Sequence, residues 1–253
     1  MSDTAAQAAA LLLAARRDPA KRLADLPGAV KPADRAAAYA IQHKVAAELG
    51  AIGGWKVSPF GTDGSAPMCG PLPASGIEAA PATLRPGKQA IRAIEAELCA
   101  RIGKDLPPRA TPYTRAEIIA CITAIHPVME ACESRYIEPK AVDIFSNIAD
   151  TQSHGGLIYG PGRTDWQVID LAAVSMEQHV DGALDASRTG HPAGDLVAQV
   201  QWMANEGAVW AGGLKAGQFV TCGSWSGANR VGPTAKVRIR FSGFEDVAVD
   251  YAE

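Results

Sequence analysis

Apolar and polar positions along the chain fall into two regimes. Over the first fifty residues the pattern is helical: an Ala- and Leu-rich run predicts a helix from about Thr4 to Leu26, ended by Pro27-Gly28. A second helix is expected from about Ala33 to Leu49, with Ala37, Tyr39, Ile41 and Val45 among its apolar positions and Gly50 as its stop. Ser58 to Gly87 is dense in Pro and Gly and reads as an ordered loop region. From Lys88 onward, period-two segments separated by short helices take over. They predict strands at Ala90 to Arg101, Val128 to Tyr136, Gly156 to Tyr159, Trp166 to Val180, Phe219 to Gly223, Ala235 to Phe241 and Asp246 to Tyr251. Thr114-Arg115-Ala116-Glu117 is a capping-box sequence opening a helix through Ile125, and another helix is expected from Pro192 to Glu206. The pattern gives an α+β chain: residues 1–87 form a helical region carrying a lysine loop, and residues 88–253 form a sheet-based catalytic domain.

Composition narrows the function classes. At 253 residues and 47% hydrophobic content the chain can bury a large core. A net charge of -3 with scattered Lys and Arg argues against nucleic acid as a partner. Five widely spaced cysteines in mostly apolar runs read as buried free thiols of a reducing compartment. The N-terminus has no basic leader before its apolar stretch, so neither a signal peptide nor a membrane span is expected, and the expected location is the cytoplasm.

The chemistry concentrates in a few acids and one lysine. In Ile94-Glu95-Ala96-Glu97-Leu98, strand alternation sends both carboxylates to one face and the apolar residues to the other. Like charges held this close need a cation or a proton. In Val128-Met129-Glu130-Ala131-Cys132-Glu133-Ser134-Arg135, Glu130 shares a face with Val128 and Cys132, and Glu133 and Arg135 share the opposite one. Glu95, Glu97 and Glu130 converging from two strands would suit Mg²⁺ or Mn²⁺. The same spacing also suits an edge strand turning its acids to water, partnered by Arg92 or Arg101, and spacing does not choose between the two. In Gly53-Gly54-Trp55-Lys56-Val57, a lysine held beside apolar groups and a metal would have its charged form disfavoured and could exchange protons. Equally, its stem could cover Trp55 at the surface. Gly223-Ser224-Trp225-Ser226-Gly227 has Trp225, not a serine, at the elbow position, and the five histidines lack metal-ligand spacing.

Gly54-Trp55-Lys56-Val57, Ile94-Glu95-Ala96-Glu97, Met129 to Arg135, Ala149-Asp150-Thr151-Gln152-Ser153 and Gly190-His191-Pro192 occur in the order seen in one family. The chain resembles the 2-keto-4-pentenoate hydratases and 4-oxalocrotonate decarboxylases, a branch of the fumarylacetoacetate hydrolase superfamily. The resemblance implies a mixed β-sheet roll with an N-terminal helical region, a divalent metal (Mg²⁺ or Mn²⁺) on Glu95, Glu97 and Glu130, and Lys56 as the proton-transferring group. It also implies substrate contacts at the backbone around Leu98 and at the Ser153 hydroxyl. It further implies a homo-oligomer acting in catabolism of aromatic compounds, with a partner enzyme of the same pathway. The family's small residue after the lysine segment is replaced here by Ser58-Pro59-Phe60, and its asparagine after Ala-Asp is Thr151. The leading expectation is hydration of a 2-hydroxy-2,4-dienoate, through its 2-oxo-enoate tautomer, to a 4-hydroxy-2-oxo acid. The rivals are decarboxylation of a 2-oxo-enedioate of the 4-oxalocrotonate type, hydrolysis of an acylpyruvate, and a non-catalytic oligomeric scaffold.

Overall fold

A computed structural model describes residues 3–86, 91–192 and 194–253. The chain opens with helix α1 (Thr4–Arg17), whose N-cap Asp3 accepts a hydrogen bond from the Ala6 amide. The helix stops at Arg17, nine residues before the expected Leu26. Asp18 takes an extended conformation and Pro19 cannot donate to the ladder, so the chain makes a single 3₁₀ turn at Pro19–Lys21 instead. Helix α2 (Arg35–Leu49) matches its expectation, capped by Asp34 and ended by Gly50 at φ +91°.

The Pro- and Gly-rich region corrects its expectation. Strand β1 (Ile52–Val57) is followed within the predicted loop by β2 (Cys69–Pro73), β3 (Ile77–Ala79) and β4 (Ala82–Leu84). Strand β2 contains Pro71 and Pro73 and lies at a sheet edge, where a missing N–H costs no ladder bond. Next come β5 (Ala93–Ile102), α3 (Arg115–Cys121), β6 (Ile122–Cys132), α4 (Ile144–Ala149) and β7 (His154–Tyr159). The α3 capping box forms as expected, but the helix ends four residues early because the β-branched run from Ile122 enters β6 directly. Strand β6 correspondingly starts earlier than expected and ends at Cys132. The strand expected from Trp166 is only β8 (Ser175–Val180), preceded by a 3₁₀ turn at Trp166–Val168, and it forms a hairpin with β9 (Ala183–Thr189). Helix α5 (Leu196–Trp202) passes into a π turn, and β10 (Phe219–Thr221), β11 (Asn229–Arg230), β12 (Lys236–Phe241) and β13 (Val247–Tyr251) complete the chain.

Among the described residues these strands form two sheets. The first runs β2-β1-β10-β5-β6-β7-β3, with β11 beside β5, and the second runs β4-β13-β12-β8-β9. Trp55, Ile94, Leu98 and Met129 of the first sheet pack with Val237, Ile239 and Val249 of the second in one apolar core, all essentially inaccessible to water. The helical region has its own cluster, in which Leu12, Leu13, Ile41 and Val45 enclose Tyr136 and Ala149. Gln42 stitches this layer to the sheet by donating to the carbonyls of Cys69 (3.1 Å) and Ile148 (2.8 Å). Strands β1 to β3, from the region expected to be helical, belong to the same sheet as β5 to β7, and the expected boundary at Gly87 and Lys88 lies outside the described residues. The mixed sheets with few helices are the α+β architecture expected. Among the described residues, no helix is long and apolar enough to cross a membrane.

Candidate metal centre

Strands β5 and β6 pair antiparallel with Glu95 directly opposite Glu130 and Glu97 opposite Val128. Alternation puts Glu95 and Glu97 on one face of β5, and register brings Glu130 to that same face from the neighbouring strand. The three carboxylates each offer an oxygen within 4.8 Å of the others. Glu130 is fully buried, Glu97 is 3% exposed, and Glu95 is partly accessible. The edge-strand alternative, with these acids turned to water, is therefore not what the chain does. β5 is an interior strand, and the guanidinium of Arg101 lies 4.0 Å from the ring centroid of Phe219.

Lys56 reaches this face from two strands away. Strand β1 pairs in parallel with β10, and β10 pairs with β5, so that Lys56, Thr221 and Cys99 stand in one row across the sheet. The Lys56 ammonium donates to Glu130 Oε1 (2.7 Å) and to the Gln152 carbonyl (3.1 Å). Burial alone would push its pKa down, as the sequence argument expected, but the carboxylates of Glu130, Glu95 and Glu97 outweigh burial and hold it well above the ordinary lysine value. The neighbouring acids are driven in opposite directions. Burial and repulsion from Glu130 and Glu95 raise the Glu97 pKa well above the usual range. Glu130 is lowered despite its burial, by Lys56 and His154.

Three further side chains complete the cluster, of which only Thr221 carries no mark in the sequence pattern. Thr221 donates its hydroxyl to Glu97, and the Cys132 thiol donates to Glu95 Oε2 (3.2 Å). Burial pushes the His154 pKa down, so its imidazole is neutral, with Nδ1 3.1 Å from Glu130 Oε1. Thr221 carries no local signal, because only the strand order β1-β10-β5 brings it here. His154 lies in the turn-like Ser153-His154-Gly155-Gly156 sequence, a place from which a polar side chain could reach a pocket, and it does reach the acids. Glu130 Oε2 is buried without a hydrogen-bond partner among the described residues. That orphaned oxygen, with two more carboxylates beside it, is the donor set a hard divalent cation requires, and Glu95, Glu97 and Glu130 are the residues that could hold one.

Above the acids lies a cavity of about 1010 Å³. Lys56, Glu95, Glu97, Gln152 and Ser153 line it, together with Glu133, which the alternation argument assigned to the opposite face. The strand ends at Cys132, so its alternation no longer binds Glu133, and Arg135 turns inward to a buried ion pair with Asp150. Ser153 Oγ accepts from Asn147 Nδ2 (3.4 Å). Leu98 packs its side chain into the core on the opposite face from the acids and is fully buried.

The turn carrying Gln152 and Ser153 is strained. Thr151, Gln152 and Ser153 have φ of 51°, 52° and 60°, the left-handed region that L side chains avoid. Asp150, Arg135 and Glu133 hold it: the Glu133 amide donates to the Ser153 carbonyl (2.7 Å), and Arg135 Nη1 donates to the His154 carbonyl (3.0 Å). Strain of this kind persists only where surrounding contacts over-determine it. Here it aims the Gln152 carbonyl at Lys56.

No family model matches the chain. In sequence it is 30% identical over 152 residues to a curated 4-oxalocrotonate decarboxylase from a Pseudomonas species, covering 57% of this chain and 55% of that protein. The chain thus spans about half the length of the curated relatives it matches. In structure it superposes on the 4-oxalocrotonate decarboxylase of Pseudomonas putida G7, solved with magnesium and adipate, with a TM-score of 0.82 at 20% identity over 98% of this chain and 97% of that one. A fumarylpyruvate hydrolase from Pseudomonas aeruginosa, solved with Mn²⁺ and pyruvate, matches with a TM-score of 0.55 at 16% identity over 78% of this chain and 88% of that one. The chain has the fumarylacetoacetate hydrolase-like fold, and about half of it is similar in sequence to curated 4-oxalocrotonate decarboxylases.

Proposed function

We propose that this protein is a metal-dependent decarboxylase of a 2-oxo-enedioate of the 4-oxalocrotonate type. The observation that carries the reading is the placing of Lys56 against Glu130, inside a triad of largely buried carboxylates at the floor of one cavity, in a chain whose curated sequence relatives are decarboxylases. The hydratase expected from sequence is the second reading, favoured by the ordered motif set alone. A Mg²⁺ or Mn²⁺ ion on Glu95, Glu97 and Glu130 would supply Lewis-acid stabilisation of negative charge on a 2-oxo acid.

The chain's own groups do the rest. In the reaction the bond to the far carboxylate breaks, carbon dioxide leaves, and the bonding electron pair runs through the adjacent double bond to the 2-oxygen. One proton then completes the 2-hydroxy-2,4-dienoate. Lys56, held protonated by three acids, is placed to deliver it, and Glu130 with the Gln152 carbonyl fixes the direction of its N–H bonds. Neutral His154 keeps Glu130 oriented. Ser153 and the Leu98 backbone are the proposed substrate contacts. A homo-oligomer and a partner enzyme of the same pathway accompany this reading.

The test is product analysis of the purified protein with Mg²⁺ or Mn²⁺ and three substrates in turn: an oxalocrotonate-type enedioate, a 2-hydroxy-2,4-dienoate and an acylpyruvate. Carbon dioxide release from the enedioate is expected. Formation of a 4-hydroxy-2-oxo acid from the dienoate, with no carbon dioxide from the enedioate, returns the hydratase reading. Metal-dependent thermal stabilisation without turnover of any 2-oxo acid would leave the scaffold.

A further inference from the structure

The acidic cavity holds charges that the triad and Lys56 do not account for. Two further cations line it, Arg230 from β11 and Lys140 from the segment after β6, and at the same mouth stand the carboxylates of Glu138 and Asp185. Asp185 is committed, accepting from Gln178 Nε2 (2.7 Å) and from Asn229 Nδ2 (3.0 Å). Arg230 is exposed, and among the described residues its guanidinium makes neither a hydrogen bond nor an ion pair. It differs in this from arginines lining a second cavity of about 310 Å³ behind Cys132–Ser134, where Arg22 pairs with Glu133, Arg135 pairs with Asp150 and Arg16 gives its Nη2 to the His154 carbonyl (2.8 Å).

Strand register decides where the Arg230 side chain stands. β11 pairs antiparallel with β5, with Arg230 directly opposite Ala93. Residues directly opposite each other share a face, and Ala93 shares one with Glu95 and Glu97 because the three are two apart. Arg230 therefore leaves the sheet on the face of the acids, in the row next to that of Glu95 and Glu130. Two residues of strand put about 7 Å between those rows. In the row of Arg230, β5 contributes Ala93 and β6 contributes Cys132, short side chains that leave the space above them to the cavity. The terminal carboxyl carbons of an extended six-carbon diacid lie roughly 6–7 Å apart, from ordinary carbon–carbon bond lengths. With its 2-oxo acid end at the triad, such a diacid brings its far carboxylate abreast of Arg230, whose flat fork of N–H donors matches a carboxylate. Lys140 lacks this placement, since it sits on a turn whose direction no ladder fixes, two residues from Glu138.

We propose that Arg230 is the specificity residue of the acidic cavity, pairing with the far carboxylate of a dicarboxylic 2-oxo acid and so selecting diacids over monoacids. The assignment rests on the reading of this cavity as a 2-oxo acid site and deepens it, because an enedioate can form the ion pair and the dienoate monoacid left after decarboxylation cannot. At an exposed rim the pair is screened by water, so it orients the far carboxylate without holding back carbon dioxide. Loss of that carboxylate removes the product's tie to the rim.

The experiment is calorimetric titration of the full chain, with Mg²⁺ present, against two saturated acids of equal length that cannot decarboxylate by the proposed route, 2-oxohexanedioate and 2-oxohexanoate. Both should bind, the diacid about three- to fivefold more tightly, and that advantage should shrink as salt is raised. Arg230→Gln should erase the advantage while leaving affinity for the monoacid within about twofold of the wild type. Arg230→Glu should reverse it, and Lys140→Gln should preserve it. Equal affinity of the wild type for the two acids overturns the assignment, even where carbon dioxide is released from the enedioate. So does a diacid advantage that survives Arg230→Gln or is lost in Lys140→Gln. Failure of both acids to bind defeats the reading of the cavity itself, and the assignment with it.

Discussion

The acidic cavity and the arginine cavity share Cys132, Glu133 and Ser134 as a common wall, yet they concentrate opposite charge by opposite means. The acids stand on adjacent positions of two paired strands, where alternation and register leave them no other direction. The five arginines lining the second cavity, Arg16, Arg22, Arg85, Arg92 and Arg135, come from five segments, and Arg16 and Arg135 share the His154 carbonyl. A strand pair thus builds its site from short-range rules. The second cavity exists only because α1, the segment after β4 and the end of β6 meet. Arg135 lines the second cavity, and its bonds to Asp150 and His154 hold the turn that faces the acids.

Breaking that shared element should have the largest effect on stability. Arg135 and Asp150 are both 3% exposed in their side chains, and Arg135→Ala leaves a buried carboxylate uncompensated. A loss of about 3–5 kcal/mol is expected by denaturant unfolding, and a loss under about 1 kcal/mol would mean that the two cavities do not depend on one clamp.

On the acidic side, Lys56→Ala should lower turnover by about 10²–10⁴-fold while divalent-cation binding stays measurable by titration calorimetry. Full activity in this variant would remove Lys56 from the proposed chemistry. Glu97→Gln should separate two effects that move in opposite directions. It relieves carboxylate repulsion, so the metal-free protein should melt higher, and it removes a ligand, so Mn²⁺ affinity should fall by at least about tenfold. A fall in both would show that Glu97 is held by something other than its neighbours' charge.

The smallest effect is expected at the turn. Gln152→Gly keeps the carbonyl that accepts from Lys56 and removes a side chain from a left-handed conformation. A net stabilisation of about 0.5–1 kcal/mol is expected in equilibrium unfolding, once the entropy cost of glycine is set against the relieved strain. Destabilisation would show that side-chain contacts of Gln152, and not the backbone alone, define the turn.

Much of the fold was legible because its signals are local. Gly50 and the Thr114 box marked the helix boundaries they mark in the structure. Local signals also misled where partners decide. Pro71 and Pro73 argued for loop, and an edge position in the sheet made them strand. Pro19 stopped a helix that the alanine-rich pattern carried on to Leu26.

For the site, the chain by itself determined that Glu95 and Glu97 leave one face of a strand, since that follows from a two-residue period and requires no partner. Only the tertiary structure decided that Glu130 stands opposite Glu95, and that Thr221 from the adjacent strand and Lys56 from two strands away meet them. It also decided that Arg135 leaves strand alternation to hold the turn, and that five distant arginines share one cavity. The reason is physical: direction along a strand is set by covalent geometry residue by residue, whereas proximity between strands and helices is set by packing, which depends on the whole chain at once.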